Sequence, residues 1–524
     1  MYLRWDRMRD ALHFLADERA FRLRLFGEGT LVGVGVGVVI SLFRWLLELT
    51  EIYRPIFFAW MREQFPAGFF GWGLFLVAVA WLLARFLAAE PLISGSGIPQ
   101  VKGILLGRIR MNAQRVLSLK FIGGVLGIGA GMSLGREGPS VQLGSCVGQW
   151  CSRLWSRPRT EERFLLTAGS GAGLAAAFNA PLAGVIFCLE EITKSFSPLV
   201  LMATVAAAVS SAAVAASILG MDPVFHLEML PTLPVSAYVW LLLLGAFAGV
   251  LGVLFNRVLM FSLEAYRRFP WQGTVKFLLP LFLAFALSFW LPEVLGGGSS
   301  LVDTLFRREF ALPFLLLLLA AKFAFTMICF GSGVPGGIFL PMLVLGALCG
   351  AVFSKCAVAA GLIDPSMTNS LIVYGMAAYF AAVVRSPITG SVLIMEMTGS
   401  FHHMLALILV SMAAYLTADV LKGEPVYEML LDRLLRLRAK LRQTPAHHRI
   451  ITEFIVGEGS RIDGQKIAGI SWPEDCLLVQ VRRGETELIP TGPLTLQSGD
   501  FVYAMTDEDD IETLEELAQE RIGT

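Results

Sequence analysis

From residue 30 to residue 421 the chain is a succession of apolar runs interrupted by short glycine- and proline-rich breaks. The runs cover about 30–58, 70–89, 113–134, 141–155, 164–190, 197–220, 233–262, 275–292, 312–330, 338–356, 368–395 and 403–421, and each predicts helix. Several are shorter, or more broken by glycine, than the roughly 20 residues of a simple bilayer crossing. In hydrocarbon every backbone N–H and C=O needs a partner, so irregular backbone survives there only where it lines a cavity or packs inside protein. The breaks, at 95–99, 135–140, 179–181, 296–300, 331–341 and 385–387, therefore trace a pathway.

The breaks also repeat. Gly135, Pro139, Leu143, Gly144 and Gly148 recur as Gly337, Pro341, Leu345, Gly346 and Gly350, shifted by 202 positions. Gly95 and Gly97 correspond to Gly296 and Gly298 at a shift of 201, and Pro181, Gly184 and Glu190 to Pro387, Gly390 and Glu396 at a shift of 206. Three motifs in one order predict two diverged copies, about 27–220 and 230–430. If the copies are inverted, the helices that begin after 135–139 and after 337–341 both aim their N-termini at the middle of the membrane. Free N–H groups and the positive ends of the two helix dipoles then converge on an anion, which partial charges release faster than a bare Lys or Arg would.

Outside this region the pattern changes. Residues 1–26 carry Arg4, Arg7, Arg9, Arg19, Arg22 and Arg24 among apolar residues at near-helical spacing, an amphipathic helix rather than a signal peptide, and the positive-inside rule puts the N-terminus in the cytoplasm. Residues 27–442 form the membrane domain, which ends in a basic amphipathic helix over 432–442. A linker over 443–449 leads to a soluble cytoplasmic domain, 450–524. It alternates strands at about 450–456, 476–482, 487–489 and 500–505 with a short helix near 463–469 and an acidic helix from Asp509. The fold class is thus an all-α polytopic membrane protein with a small α+β domain at its C-terminus.

Composition narrows the function. Of the 524 residues 55% are hydrophobic and 16% charged, and the mean hydropathy is +0.66. Soluble domains carry about 25% charged residues, so a soluble enzyme is excluded, and no catalytic constellation is visible. A net charge of +0 and the lack of a basic stripe with interleaved aromatics argue against nucleic acid. Seven scattered cysteines without a CxxC pair, and six histidines without an HxxxH or HExxH pattern, predict neither a disulfide framework nor a metal site, and no cofactor is expected. The adjacent His402 and His403 are expected at a membrane boundary. Lys120 and Lys322, inside apolar runs, are expected to reach the boundary or to pair internally rather than to bind substrate.

Glu137 stands in the break Gly135, Arg136, Glu137, Gly138, Pro139, Ser140. A carboxylate at membrane depth is costly and so a candidate for function. At a helix N-terminus it mimics an anion: deprotonated it can occupy an anion site, and protonated it is neutral and leaves, so one residue couples anion to proton. A structural role, capping the helix or pairing with Arg136 or Lys120, is the alternative.

GSGIP at 95–99, GREGPS at 135–140, GGIFLP at 336–341 and Tyr427 in the stretch Glu424, Pro425, Val426, Tyr427 resemble the signature of the CLC chloride channel and transporter family over about 30–435. The resemblance implies two inverted halves of tilted helices and a homodimer whose subunits each hold a pore. It also implies a chloride held by the hydroxyls of Ser96 and Tyr427 and the backbone N–H groups of Ile338 and Phe339, with Glu137 as gate. The family's exchangers carry a second acid that passes protons from the cytoplasm, which channels of the family usually lack. In NAPLAGVIFCLEE at 179–191 that acid would be Glu191; Glu190, mirrored by Glu396, reads as structural. Ser96 argues for chloride, since fluoride- and nitrate-preferring members differ at or near it.

Residues 450–524 resemble, more loosely, the C-terminal lobe of regulator-of-K⁺-conductance (TrkA-C) domains, in Ile462 to Lys466, Val479 to Arg483, Pro490 and the turn Leu496 to Asp500. Such domains dimerise and bind small ligands, cyclic di-AMP among them, so this one is either a regulatory module or a brace for the dimer. The leading expectation is a chloride/proton antiporter of the plasma or inner membrane with both termini cytoplasmic. A passive chloride channel is the alternative, and a ligand sensor anchored by its membrane part ranks last.

Overall fold

The computed structural model describes residues 2–221, 224–225, 231–268, 273–442, 449–457, 459–473, 476–484, 486–507 and 510–519. It divides into two units, Met1–Leu434 and Leu435–Thr524; the linker expected over 443–449 falls almost wholly outside the described residues.

The first unit is helical. Its first copy contains α1 (Tyr2–Glu63), α2 (Ala67–Ala89), α3 (Ile98–Leu105), α4 (Ala113–Gly129), α5 (Glu137–Leu154), α6 (Arg159–Phe178), α7 (Pro181–Phe187) and α8 (Pro198–Leu219). The second contains α9 (Tyr238–Arg268), α10 (Val275–Trp290), α11 (Ser299–Arg307), α12 (Leu312–Gly331), α13 (Phe339–Ala359), α14 (Thr368–Val384), α15 (Pro387–Thr398) and α16 (Met404–Val420). A final helix, α17, runs over Val426–Arg442. Among the described residues eight helices are long and apolar enough to cross a membrane.

The runs at 164–190 and 368–395 each prove to be two helices. The reason lies at the turn: Asn179 and Arg385 close α6 and α14 with left-handed backbone (φ 55° and 71°), and Pro181 and Pro387 then start α7 and α15. Before them, Gly97 and Gly298 begin α3 and α11 at φ 99° and 95°, a conformation that only glycine adopts without strain. The two copies thus repeat in backbone as well as in sequence.

In the opposite direction, the expected amphipathic helix over 1–26 and the following span are one continuous helix, α1. Gly29, Gly33 and Gly37 serve packing against α8: a Cβ on Gly29 would lie 2.8 Å from the Ala203 carbonyl oxygen. Small residues play the same part at the centre, where α5 crosses α6 at Gly144 and Gly169 and α13 crosses α14 at Gly346 and Gly375. A Cβ on Gly346 would fall 2.6 Å from the Gly375 carbonyl oxygen, so this crossing admits no larger residue without separating the helices. Of the glycines that revealed the repeat, Gly144, Gly148, Gly346 and Gly350 are therefore helix-contact residues.

The second unit holds an antiparallel sheet of β1 (Arg449–Ile455), β2 (Leu477–Arg483), β3 (Thr486–Leu488) and β4 (Phe501–Asp507) in the order β1-β4-β2-β3, with α18 (Ile511–Gln519). Its core is Phe454, Val456, Ile462, Val481, Leu496, Val502, Leu514 and Ala518. All four strands fall within two residues of expectation. The helix expected near 463–469 is instead a turn followed by a single 3₁₀ turn, Ile467–Gly469, because Gly464 takes a φ of 73° and Ile467 and Ala468 donate to the carbonyls of Leu494 and Gly492. The Arg483 guanidinium donates two 2.8 Å hydrogen bonds to Asp500, which also accepts from the Gln497 amide. Burial would raise the Asp500 carboxyl, but these bonds outweigh it and hold it below the ordinary carboxylate value.

Candidate functional site

The two central breaks are bound to each other. Gly135 donates its N–H to the Gly337 carbonyl and Gly337 donates to the Gly135 carbonyl, both at 2.7 Å. This reciprocal pair of equivalent residues sets the N-termini of α5 and α13 side by side. The flanking loops join in the same way: Gly336 N–H donates to Gly95 O, and Gly296 N–H to Gly131 O.

Two buried lysines brace those loops. Lys120 Nζ donates to the carbonyls of Ile93 and Gly95, and Lys322 Nζ to those of Val294 and Gly296. Both lysines are fully buried, so neither reaches a boundary, and each holds the chain just ahead of a left-handed glycine. His403 is buried, with Nδ1 2.6 Å from the Tyr374 hydroxyl, while His402 is exposed.

Glu137 is the first residue of α5 and is fully buried. Its carboxylate reaches the other copy's helix. Oε2 accepts a 3.3 Å hydrogen bond from the Leu340 amide, in the first turn of α13. Oε1 lies 3.9 Å from Arg136 Nε, and Arg136 in turn lies 3.4 Å from Glu48. A carboxylate from one copy thus occupies the positive end of the other copy's helix, where N–H groups lack intrahelical partners. The equivalent of Glu137 in the second copy is Phe339, whose ring lies among Phe178, Phe187 and Phe380, with centroids 5.4, 6.2 and 4.8 Å away.

Ser96 lies at the other side of the same junction, since a Cβ on Gly138 would collide with its hydroxyl. Tyr427, in the first turn of α17, neighbours Ser96. Both hydroxyls are buried, and neither makes a well-formed hydrogen bond among the described residues. Of the residues expected to form an anion site, Ser96, Glu137, Ile338, Phe339 and Tyr427 therefore come together where four helix N-termini meet.

Glu191 forms a second group. It sits in a π-helical turn, Cys188–Ile192, that continues α7. Its carboxylate is almost completely buried and accepts from Lys102 Nζ at 2.8 Å and from the Ser386 hydroxyl at 3.0 Å. Tyr427 stands within electrostatic range of both Glu191 and Glu137. Glu190, one residue earlier, turns away and accepts from the amides of Ile388 and Thr389. Sequence reasoning missed Lys102, Ser386 and Phe178. Lys102 lies six positions after Ser96, but nothing in its spacing points to Glu191.

Residues 74–419 match the model of the family described as voltage gated chloride channel, and residues 451–519 match the TrkA-C domain. The chain is 37% identical over 429 residues to the H⁺/Cl⁻ exchange transporter ClcA of Vibrio cholerae, covering 79% of this chain and 90% of that one. It is 37% identical over 384 residues to the ClcA of Cronobacter sakazakii, covering 71% and 81%. Among solved structures it is similar to a slow cyanobacterial Cl⁻/H⁺ antiporter, with 31% identity, a TM-score of 0.75, and coverage of 79% and 98%.

Proposed function

Because the chain belongs to the voltage gated chloride channel family, we propose that it exchanges chloride for protons across a membrane, with Glu137 as gate and Glu191 as the second proton site. The observation that carries this reading is the hydrogen bond from Leu340 N–H to the Glu137 carboxylate. The carboxylate takes the place at the α13 N-terminus that an anion would take, beside the hydroxyls of Ser96 and Tyr427. Chloride entering there displaces it. A proton on Glu137 removes its charge and its attraction to the helix end, so anion and proton alternate at one position.

Chloride in the site is held by the Ser96 and Tyr427 hydroxyls and by the amides of Ile338 and Phe339. The relatives' names as exchangers, together with the buried acid Glu191, favour antiport over a passive channel. Glu191 takes up protons from the cytoplasm and passes them toward Glu137 along the Tyr427 side.

The protein works as a homodimer in the cell membrane with both termini in the cytoplasm. The TrkA-C unit regulates it through a small ligand, for which cyclic di-AMP is the first candidate. Equilibrium binding of cyclic di-AMP to the full chain tests the last point, and crosslinking in membranes tests the dimer.

Chloride-loaded proteoliposomes monitored for pH decide the main question. A chloride gradient drives proton uptake in an exchanger, whereas chloride flux without proton movement means a channel. Glu137→Ala and Glu191→Gln are both expected to keep chloride flux and lose proton coupling. A variant that still moves protons at the original ratio removes its residue from the mechanism.

A further inference from the structure

Lys102 differs from the other buried lysines of the membrane unit. Lys120 and Lys322 sit on fixed backbone carbonyls, whereas Lys102 lies between two carboxylates from separate elements. Its Nζ is 2.8 Å from Glu191 Oε1 and 3.8 Å from Glu428 Oε1 in the first turn of α17. The Lys102 and Glu191 side chains are 7% and 3% exposed, and Glu428 is 39% exposed. Glu428 pairs on its outer side with Lys194. The row Lys194, Glu428, Lys102, Glu191 thus leads from solvent to the buried acid.

A relay acid must exist in two charge states, and its buried neighbours must tolerate both. When Glu191 takes a proton its attraction for Lys102 is lost, and an uncompensated buried ammonium is strongly unfavourable. We propose that Lys102 is a switchable counter-ion that passes from Glu191 to Glu428 when Glu191 is protonated and returns when it is not. This rests on Glu191 being the second proton site.

Closing the 3.8 Å separation to the 2.8 Å that Lys102 keeps with Glu191 requires only a rotamer adjustment of a long side chain. Lys102 keeps all its own protons throughout. The proton on Glu191 comes from the solvent side and leaves toward the anion site, and only the ammonium's partner changes. The other groups here are consistent with that division. Ser386 stays on Glu191 Oε2, Tyr427 faces both Glu191 and Glu137, and Glu190 is held by the α15 amides and does not compete.

The test is proton-coupled turnover of the full chain in proteoliposomes over a series of equal inner and outer pH values. Glu428→Gln leaves Lys102 with Glu191 alone, which disfavours protonation, so the profile moves toward acid by about one unit or more. Lys102→Met removes the counter-ion from Glu191, and the profile moves the opposite way. The double variant follows Lys102→Met, because Glu428 has no part without the ammonium.

Glu428→Asp keeps the charge and restores the wild-type profile, and chloride flux in each variant reports an intact fold. An unshifted Glu428→Gln profile, or additive shifts in the double variant, overturns the proposal. Glu191→Gln separates the two readings. If that variant loses coupling while the profiles stay unshifted, only the counter-ion falls; if it retains coupling, the role of Glu191 falls as well.

Discussion

Glu190 caps the helix that carries Glu396, and Glu396 caps the helix that carries Glu190. The Glu190 carboxylate accepts from the amides of Ile388 and Thr389, at 3.2 and 2.7 Å, and from the Thr389 hydroxyl. The Glu396 carboxylate accepts from the amides of Leu182 and Ala183, at 3.1 and 2.7 Å. Each copy thereby supplies the anion that satisfies the first turn of its counterpart, and the helices beginning at Pro181 and Pro387 are locked together tail to head.

Replacing either carboxylate with alanine removes two or three charge-assisted bonds and leaves amides unpaired. A loss of about 2 kcal/mol per site is expected. Thermal unfolding in detergent should show a lower midpoint for both Glu190→Ala and Glu396→Ala, while the ratio of chloride to protons stays at the wild-type value. A changed ratio in Glu190→Ala would give Glu190 a part in proton transfer that its bonds do not suggest.

The hydroxyls of Ser96 and Tyr427 are buried without well-formed partners. Each contributes about 1 kcal/mol as an anion donor, so Ser96→Ala and Tyr427→Phe should each weaken chloride binding about fivefold. Calorimetric titration of chloride into detergent-solubilised protein measures this. Unchanged affinity in both would place the anion elsewhere.

Lys120 and Lys322 hold carbonyls of the two loops that precede left-handed glycines. Removing Lys322 takes the donor from the Val294 and Gly296 carbonyls, and removing Lys120 takes it from the Ile93 carbonyl and leaves Gly95 O with the Gly336 N–H. Lys120→Met and Lys322→Met should each cost about 2–3 kcal/mol. Lys120→Met should in addition lower chloride affinity, because its loop carries Ser96. Unfolding midpoints and the same titration distinguish the two sites.

The Asp500 carboxyl is held below its ordinary value, so the sign of its pH effect follows. Its stabilisation is fully present above the unfolded value, about 3.9, and is lost as pH falls through the lower folded value. The C-terminal unit should therefore resist proteolysis at neutral pH and lose that resistance below about pH 4. Asp500→Asn should be weaker by about 2 kcal/mol at neutral pH and flatter through the acid range. Equal acid sensitivity in wild type and Asp500→Asn would assign the transition to another group.

Much of this was legible in the chain. Apolar runs gave the helices because hydrocarbon forces backbone bonds to be local, and a recurring glycine–proline pattern gave the repeat because the same helix contacts and starts are needed twice. Break 135–140 singled out Glu137 because a carboxylate at membrane depth is too costly to be incidental. Strands of the C-terminal unit followed from alternation and turn residues. The helix expected near 463–469 failed because Gly464 and two hydrogen bonds to the distant carbonyls of Leu494 and Gly492 decided that segment.

What the sequence could not contain were the distances across the repeat. Glu137 was expected at a helix N-terminus and stands there, but that its bond is to Leu340, 203 positions away, was not legible. Glu190 meets Thr389 across 199 positions, and Lys102 meets Glu191 across 89. Periodicity reports only neighbours within a turn or a strand. The partner of a buried charge is chosen by how the two copies cross, and that crossing is fixed by side-chain contacts that no local pattern encodes. The sequence by itself determined where the charges had to be satisfied, and only the tertiary structure decided by what.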